Sequence, residues 1–261
     1  MKIKLIAQNF DIYDGDGLSQ SARTGDISLN HIFKAGANGV ILGHSESGDD
    51  PEIINKKLRA IVEKKAANLL LNELVILIGE SWDEFENLSI EEVAGVIKNN
   101  CEIIFKDIPK ELLKQAVLGY EPKWGSRGSG RDDMPPPEPA LISACVKAIK
   151  DFIKEKYNLD LYVVYGGRST TERTFEIMKD RNINGLILGS ACNTVEKTLQ
   201  IVEAMKKVQP EKTKILICNF KAYDLPDYYE KYCCELNKLS EDFIIYLSPA
   251  YTDIREVKEL L

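Results

Sequence analysis

Histidine is almost missing from this chain: 261 residues hold two, His31 and His44. No cluster of other ligating side chains surrounds either one, so zinc and other metals are not expected. The six cysteines (Cys101, Cys145, Cys192, Cys218, Cys233 and Cys234) show no C-x-x-C spacing. That leaves free thiols in a reducing compartment as the reading. No apolar run reaches the roughly 18 residues that a membrane-crossing helix needs, and no secretory leader is read. Positive charge is also short. Lys and Arg total 34 against 41 Asp and Glu, a net charge of -7, which offers no basic face to a nucleic acid. The expectation is a cytoplasmic protein with neither membrane nor nucleic acid as partner. A small anionic ligand stays open, because backbone N–H groups can hold a phosphate in an acidic molecule.

What the sequence does have is a series of short apolar stretches rich in Val, Ile and Leu. They lie at 3–7, 39–43, 74–79, 116–120, 161–166, 185–189, 214–219 and 243–248. Strands of this length with little alternation are typical of a parallel sheet covered on both faces. Between them run charged segments whose apolar residues recur three and four apart. Residues 51–71 open on Pro51, and 170–182 and 194–208 each open near a Thr able to cap a helix. The Pro-rich stretch 134–139 reads as an entry loop to a helix. Strands alternating with helices suggest a (β/α)8 barrel or a doubly wound sheet. Eight such units in about 250 residues favour the barrel, as one domain spanning 1–261.

Functional groups of such a barrel gather where the strands end. Gln8 and Asn9 follow the first strand; His44, Ser45 and Glu46 follow the second. Glu121 and Pro122 follow the fourth and lead into the Gly-rich "KWGSRGSG". Gly167 and Arg168 follow the fifth, Gly189 and Ser190 close the sixth, and Asn219 and Lys221 close the seventh. Each signal is weak by itself. A lone histidine after a strand is more often hydrogen-bonded scaffolding, and a Gly-rich stretch is more often a turn. Together they put a carboxylate, an imidazole, an ammonium and Gly-bounded N–H groups on one rim. That set suits proton transfer beside a carbonyl of a phosphorylated substrate. A carboxylate takes the proton, an imidazole and a cation polarise the oxygen, and glycines let N–H groups approach the phosphate. No cofactor is required.

These residues resemble the triosephosphate isomerase family. "GVILGHSE" (39–46) is similar to the strand presenting that family's electrophilic histidine, and "GYEPKWGSRGSG" (119–130) to its glutamate base and closing lid. "CNFKAY" (218–223) resembles the Asn-Trp-Lys strand, while "YGGRST" (165–170) and "GLILGSA" (185–191) resemble the phosphate loops. "AQN" (7–9) and "ARTGDIS" (22–28) resemble the family's third strand and its dimer loop. The resemblance implies a TIM barrel with Glu121, His44, Lys221 and Asn219 as catalytic and substrate-contacting groups. It implies Gly128, Gly167, Arg168, Gly189 and Ser190 at the phosphate, with Glu46, Gln8 and Asn9 as support. It further implies a small phosphorylated sugar as substrate, no cofactor, and a homodimer reaching through Thr24. In the family the Asn-x-Lys strand comes first; here it comes seventh, so the resemblance implies a circularly permuted order beginning at the third strand.

Several positions depart from the family pattern. The lid is one residue longer and carries Arg127, and Arg168 stands where a serine is usual. Ser190 replaces a second glycine, Arg23 replaces an aromatic, and Ser47 and Gly48 replace a basic pair after Glu46. The last change predicts that Glu46 loses an ion-pair partner. Arg168 is expected either at a phosphate or in solvent. Two alternatives to a triose phosphate isomerase follow: an isomerase of a four-carbon sugar phosphate, and a sugar-phosphate binder without turnover.

Overall fold

Side chains of successive strand residues point to opposite faces, and in this chain both faces are apolar. Val75 and Leu77 pack with Ile6, Ile41, Val117, Val164, Ile187, Ile215 and Ile217 in one cluster. Leu74, Ile76 and Ile78, their immediate neighbours, belong to a second and larger cluster with the helices. A sheet buried on both faces must either be covered by helices twice or close on itself. It closes. The computed structural model describes residues 3–12, 24–66, 72–126, 130–223, 228–239 and 241–261, and its strands form one barrel in sequence order.

The strands are β1 (Ile3–Ala7), β2 (Gly39–Leu42), β3 (Glu73–Ile78), β4 (Ala116–Tyr120), β5 (Val163–Gly166), β6 (Gly185–Leu188), β7 (Lys214–Asn219) and β8 (Phe243–Ser248). Every neighbouring pair is parallel, and β8 returns to β1 through Ile3↔Ile245, Lys4↔Tyr246 and Leu5↔Leu247. The helices are α1 (Leu29–Ala35), α2 (Pro51–Ala66), α3 (Ile90–Ile104), α4 (Lys110–Leu113), α5 (Pro139–Tyr157), α6 (Thr171–Met178), α7 (Val195–Val208), α8 (Tyr228–Asn237) and α9 (Ile254–Leu260).

Local signals set where the helices start. Thr170 and Thr194 each accept the N–H three residues on, from Arg173 and Lys197, and so open α6 and α7. Ser89 and Glu92 form a reciprocal capping box at α3. His31 does the same for α1, accepting the Ser28 N–H on Nδ1, which accounts for one of the two histidines as scaffold.

Helix α6 ends at Met178, short of the residue-182 end that periodicity predicts. The Asp180 carboxylate accepts the Asn182 N–H and its carbonyl accepts the Ile183 N–H, a local turn that outcompetes another helical turn. The N-terminal end of the barrel is tied by Lys4, which pairs with Glu73 at 2.8 Å while Tyr246 donates to the same carboxylate. No described helix is long and apolar enough to cross a membrane. All six cysteines are free, and no group of potential metal ligands occurs among the described residues.

Candidate active site

Beyond β2 the chain makes a single 3-10 turn, Ser45–Ser47, capped by His44. The Glu46 N–H donates to His44 Nδ1 at 3.1 Å. A donated N–H needs a lone pair on Nδ1, so in this geometry the ring is neutral and carries its proton on Nε2. Nε2 lies 3.6 Å from Glu121 Oε1, at the end of β4. The other oxygen, Oε2, accepts the Ser45 N–H at 3.0 Å. Both side chains are buried. A carboxylate held only by N–H donors keeps free lone pairs, which is what a base requires.

The ammonium arrives from β7. Lys221 has φ 55°, a left-handed conformation that side chains other than glycine seldom adopt. Two hydrogen bonds hold its backbone, and a third anchors the side chain that makes one of them. Lys221 N–H donates to Asn219 Oδ1 at 3.0 Å, and Gln8 Nε2 donates to the Lys221 carbonyl at 2.6 Å and the Ser248 carbonyl at 3.2 Å. Thus β1 fixes the turn after β7. The Lys221 ammonium pairs with Glu46, so the predicted loss of a partner for Glu46 does not occur. A side chain on Gly189 would place its Cβ 2.9 Å from Lys221 Cε, so the end of the lysine would have to shift to admit it.

His44, Glu121 and Lys221 share a cavity of about 330 Å³ with Gly167, Gly189 and Ser190. This is near the lower end of the about 300–1,000 Å³ usual for small-molecule sites. Three strands that are distant in sequence therefore bring a carboxylate, an imidazole and an ammonium to one space.

A triosephosphate isomerase family model matches residues 1–205. Similar curated proteins include the triosephosphate isomerase of Alkaliphilus oremlandii, 32% identical over 208 residues, or 77% of this chain and 76% of that one. Those of Mycoplasmoides gallisepticum (29% identity, 73% of each chain) and Protochlamydia amoebophila (29%, covering 76% of this chain and 73% of that one) are also similar. The chain belongs to the triosephosphate isomerase family. The matched segment stops short of β7, yet β7 supplies the lysine that meets Glu46.

Not every residue expected from triosephosphate isomerase motifs faces the cavity. Asn219 is buried beneath Lys221 and holds its backbone instead of lining the space. Asn9 accepts from the buried Lys57 ammonium at 2.9 Å, which also pairs with Asp49 at 2.6 Å. Gly128, Arg127 and Arg23 lie outside the described residues.

Arg168 reaches the cavity wall, but most of its guanidinium is spent on three backbone carbonyls. Nε donates to Gly125 at 3.3 Å; Nη1 donates to Asp132 at 3.2 Å and Met134 at 2.7 Å. Only Nη2 is without a partner among the described residues. It is therefore not a solvated surface arginine: Nε and Nη1 hold backbone, and Nη2 is what remains.

The structure also shows partners that sequence reasoning missed. Ser45 Oγ and Ser126 Oγ meet at 3.1 Å, joining the β2 turn to the stretch after Glu121. Glu80, following β3, accepts from Trp124 Nε1 at 2.8 Å and Tyr120 OH at 3.1 Å, with Phe85 stacked on Trp124 at 4.2 Å. Burial pushes the Glu80 carboxyl above the usual carboxylate range.

A consequence for stability follows. The folded protein holds the Glu80 proton more tightly than the unfolded chain does. Stability from this group is therefore present at low pH and declines as pH rises through its raised value. Glu80→Gln removes that decline, so the melting temperature of the variant gains on the native protein from about pH 4.5 upward. Glu80→Leu strands two buried donors and costs about 2–4 kcal/mol at any pH. Thermal melts across pH 4 to 8 distinguish the two variants, and parallel pH curves for Glu80→Gln and the native protein would count against the assignment.

Proposed function

We propose that this protein interconverts dihydroxyacetone phosphate and D-glyceraldehyde 3-phosphate. Supporting this most directly is the placing of Glu121, a neutral His44 and Lys221 around one small cavity. Glu121 removes a proton from the carbon beside the carbonyl and returns it to the neighbouring carbon. His44 Nε2–H and Lys221 stabilise the oxygen as it becomes an enediolate, and charge developing there is where preorganised donors act most strongly. Gly167, Gly189 and Ser190 line the end suited to the phosphate, with Gly128 in the same role by family resemblance. No metal or cofactor has a part in these steps. A coupled assay on D-glyceraldehyde 3-phosphate tests the proposal; a folded protein without turnover sinks it.

The cavity continues past Ser190 to Thr171, Lys197 and Gln200, which supports a second reading as an isomerase of a four-carbon sugar phosphate. Comparing kcat/KM for the two substrate lengths decides between them.

The order of the strands is read as a rotation of the family order in which residues 214–261 supply the first two strand–helix units. The whole of 1–261 then makes one barrel domain. A family match that ends at residue 205, before the Asn-x-Lys strand, supports this. A homodimer through the loop around the exposed Thr24, in the cytoplasm, completes the proposal. Sedimentation at micromolar concentration checks the dimer, and a fully active monomer removes it.

A further inference from the structure

The connection from β4 to α5 brings Glu121 and Ser126 to the cavity, and four of its described backbone carbonyls accept from arginines of the next strand–helix unit. Arg168 takes Gly125, Asp132 and Met134; Arg173, on the first turn of α6, donates from Nη2 to Pro137 at 2.7 Å. Arg173 Nε also donates to the carbonyl of Arg168 itself at 3.1 Å, so the second arginine positions the first. No carboxylate forms an ion pair with either guanidinium among the described residues.

We propose that Arg168 and Arg173 act as a paired staple that fixes both flanks of the β4–α5 connection, making Arg168 a positioning residue for turnover. Gly125 lies four residues after Glu121, and Met134 and Pro137 lie just before α5. Holding these points against β5 sets the span of the connection and hence the placement of the chain that leaves Glu121. A planar fork donates from separate nitrogens, here Nε and Nη1, and so spans carbonyls that the single nitrogen of an ammonium does not reach in the same geometry. The charge itself would be equally useful on a lysine. The geometry is specific to arginine, and that difference makes the idea testable.

The inference rests on the isomerase reading for its kinetic part, so the experiment includes a readout independent of activity. Amide hydrogen exchange is followed over residues 122–138 in the native protein, Arg168→Ser and Arg168→Lys, all without substrate. In both variants exchange at the described flanks rises at least tenfold, while β2 and β7 keep native protection. Unchanged flank exchange overturns the staple whatever the kinetics show. If flank exchange rises but the native protein has no isomerase activity, the staple stands and the functional reading fails.

In the coupled assay kcat falls about ten- to a hundredfold in both variants, the range expected when reacting groups lose placement. KM and inhibition by inorganic phosphate move less than threefold. Rescue by Arg168→Lys, or a tenfold loss of phosphate inhibition with kcat kept, identifies a charge contact to the phosphate instead and overturns the positioning role. Native kinetics with only a lowered melting temperature overturn it as well.

Discussion

Glu121→Gln lowers kcat/KM by about 10²–10⁴ and leaves the melting temperature within a degree or two of native. The amide keeps the shape of the carboxylate and retains one oxygen to accept the Ser45 N–H, now 3.0 Å from Oε2. What it loses is the ability to take a proton, which in general base catalysis contributes a factor of about this size. In barrier terms that is roughly 3–5 kcal/mol. Affinity for inorganic phosphate should hold, since the substitution leaves Gly167, Gly189 and Ser190 untouched. A sugar-phosphate binder without turnover would show no kinetic change at all. A variant that keeps more than a tenth of native activity would remove Glu121 from the role of base.

Lys221 carries the second large effect, with two separable parts. Lys221→Met takes the cation from the cavity and leaves Glu46 without its ion pair, and kcat/KM falls about 10²–10³. Lys221→Gly is equally inactive yet more stable than Lys221→Met by about 1 kcal/mol. Glycine accepts φ 55° without the penalty that any side chain bears there. Chemical denaturation of the two variants side by side measures that difference. Equal stabilities would mean that Gln8 and Asn219 impose no strain, and that the turn is simply the resting conformation of this loop.

Much of the barrel was legible because a parallel sheet buried on both faces writes itself as continuous apolar runs. The eight runs fall on the eight strands with ends shifted by at most two residues. The largest shift is at β5, which begins at Val163 rather than Leu161. The Tyr162 carbonyl accepts the Leu118 N–H, yet the residue is left 41% exposed, so its apolar character did not mean a strand position. Strand-end residues were legible too, since a (β/α)8 barrel assigns them one face.

The polar contacts between elements were not. Lys57 with Asp49 and Asn9, Glu80 with Trp124, and Arg168 with three carbonyls join residues that no local period connects. Arg168 shows the limit most clearly. Its position after β5 pointed to a phosphate or to solvent; the three carbonyls it holds were not legible, because the direction of a long side chain is set by which acceptors surround it. Asn219 is similar: a neighbouring residue in left-handed conformation claimed its oxygen.

The pairing of Glu46 with Lys221 spans 175 residues, and this has a bearing on biosynthesis. At about 5–20 residues per second, translation needs roughly 9–35 s to reach the lysine after the glutamate has been made. During that interval His44, joined partway by Glu121, sits on a growing polypeptide that has no Lys221 ammonium to offer an enediolate, and no β8 with which β1 can pair. A chain not yet extended to Lys221 thereby lacks one of the three groups that share the cavity. The set is complete only once β7 and β8 have closed the ring.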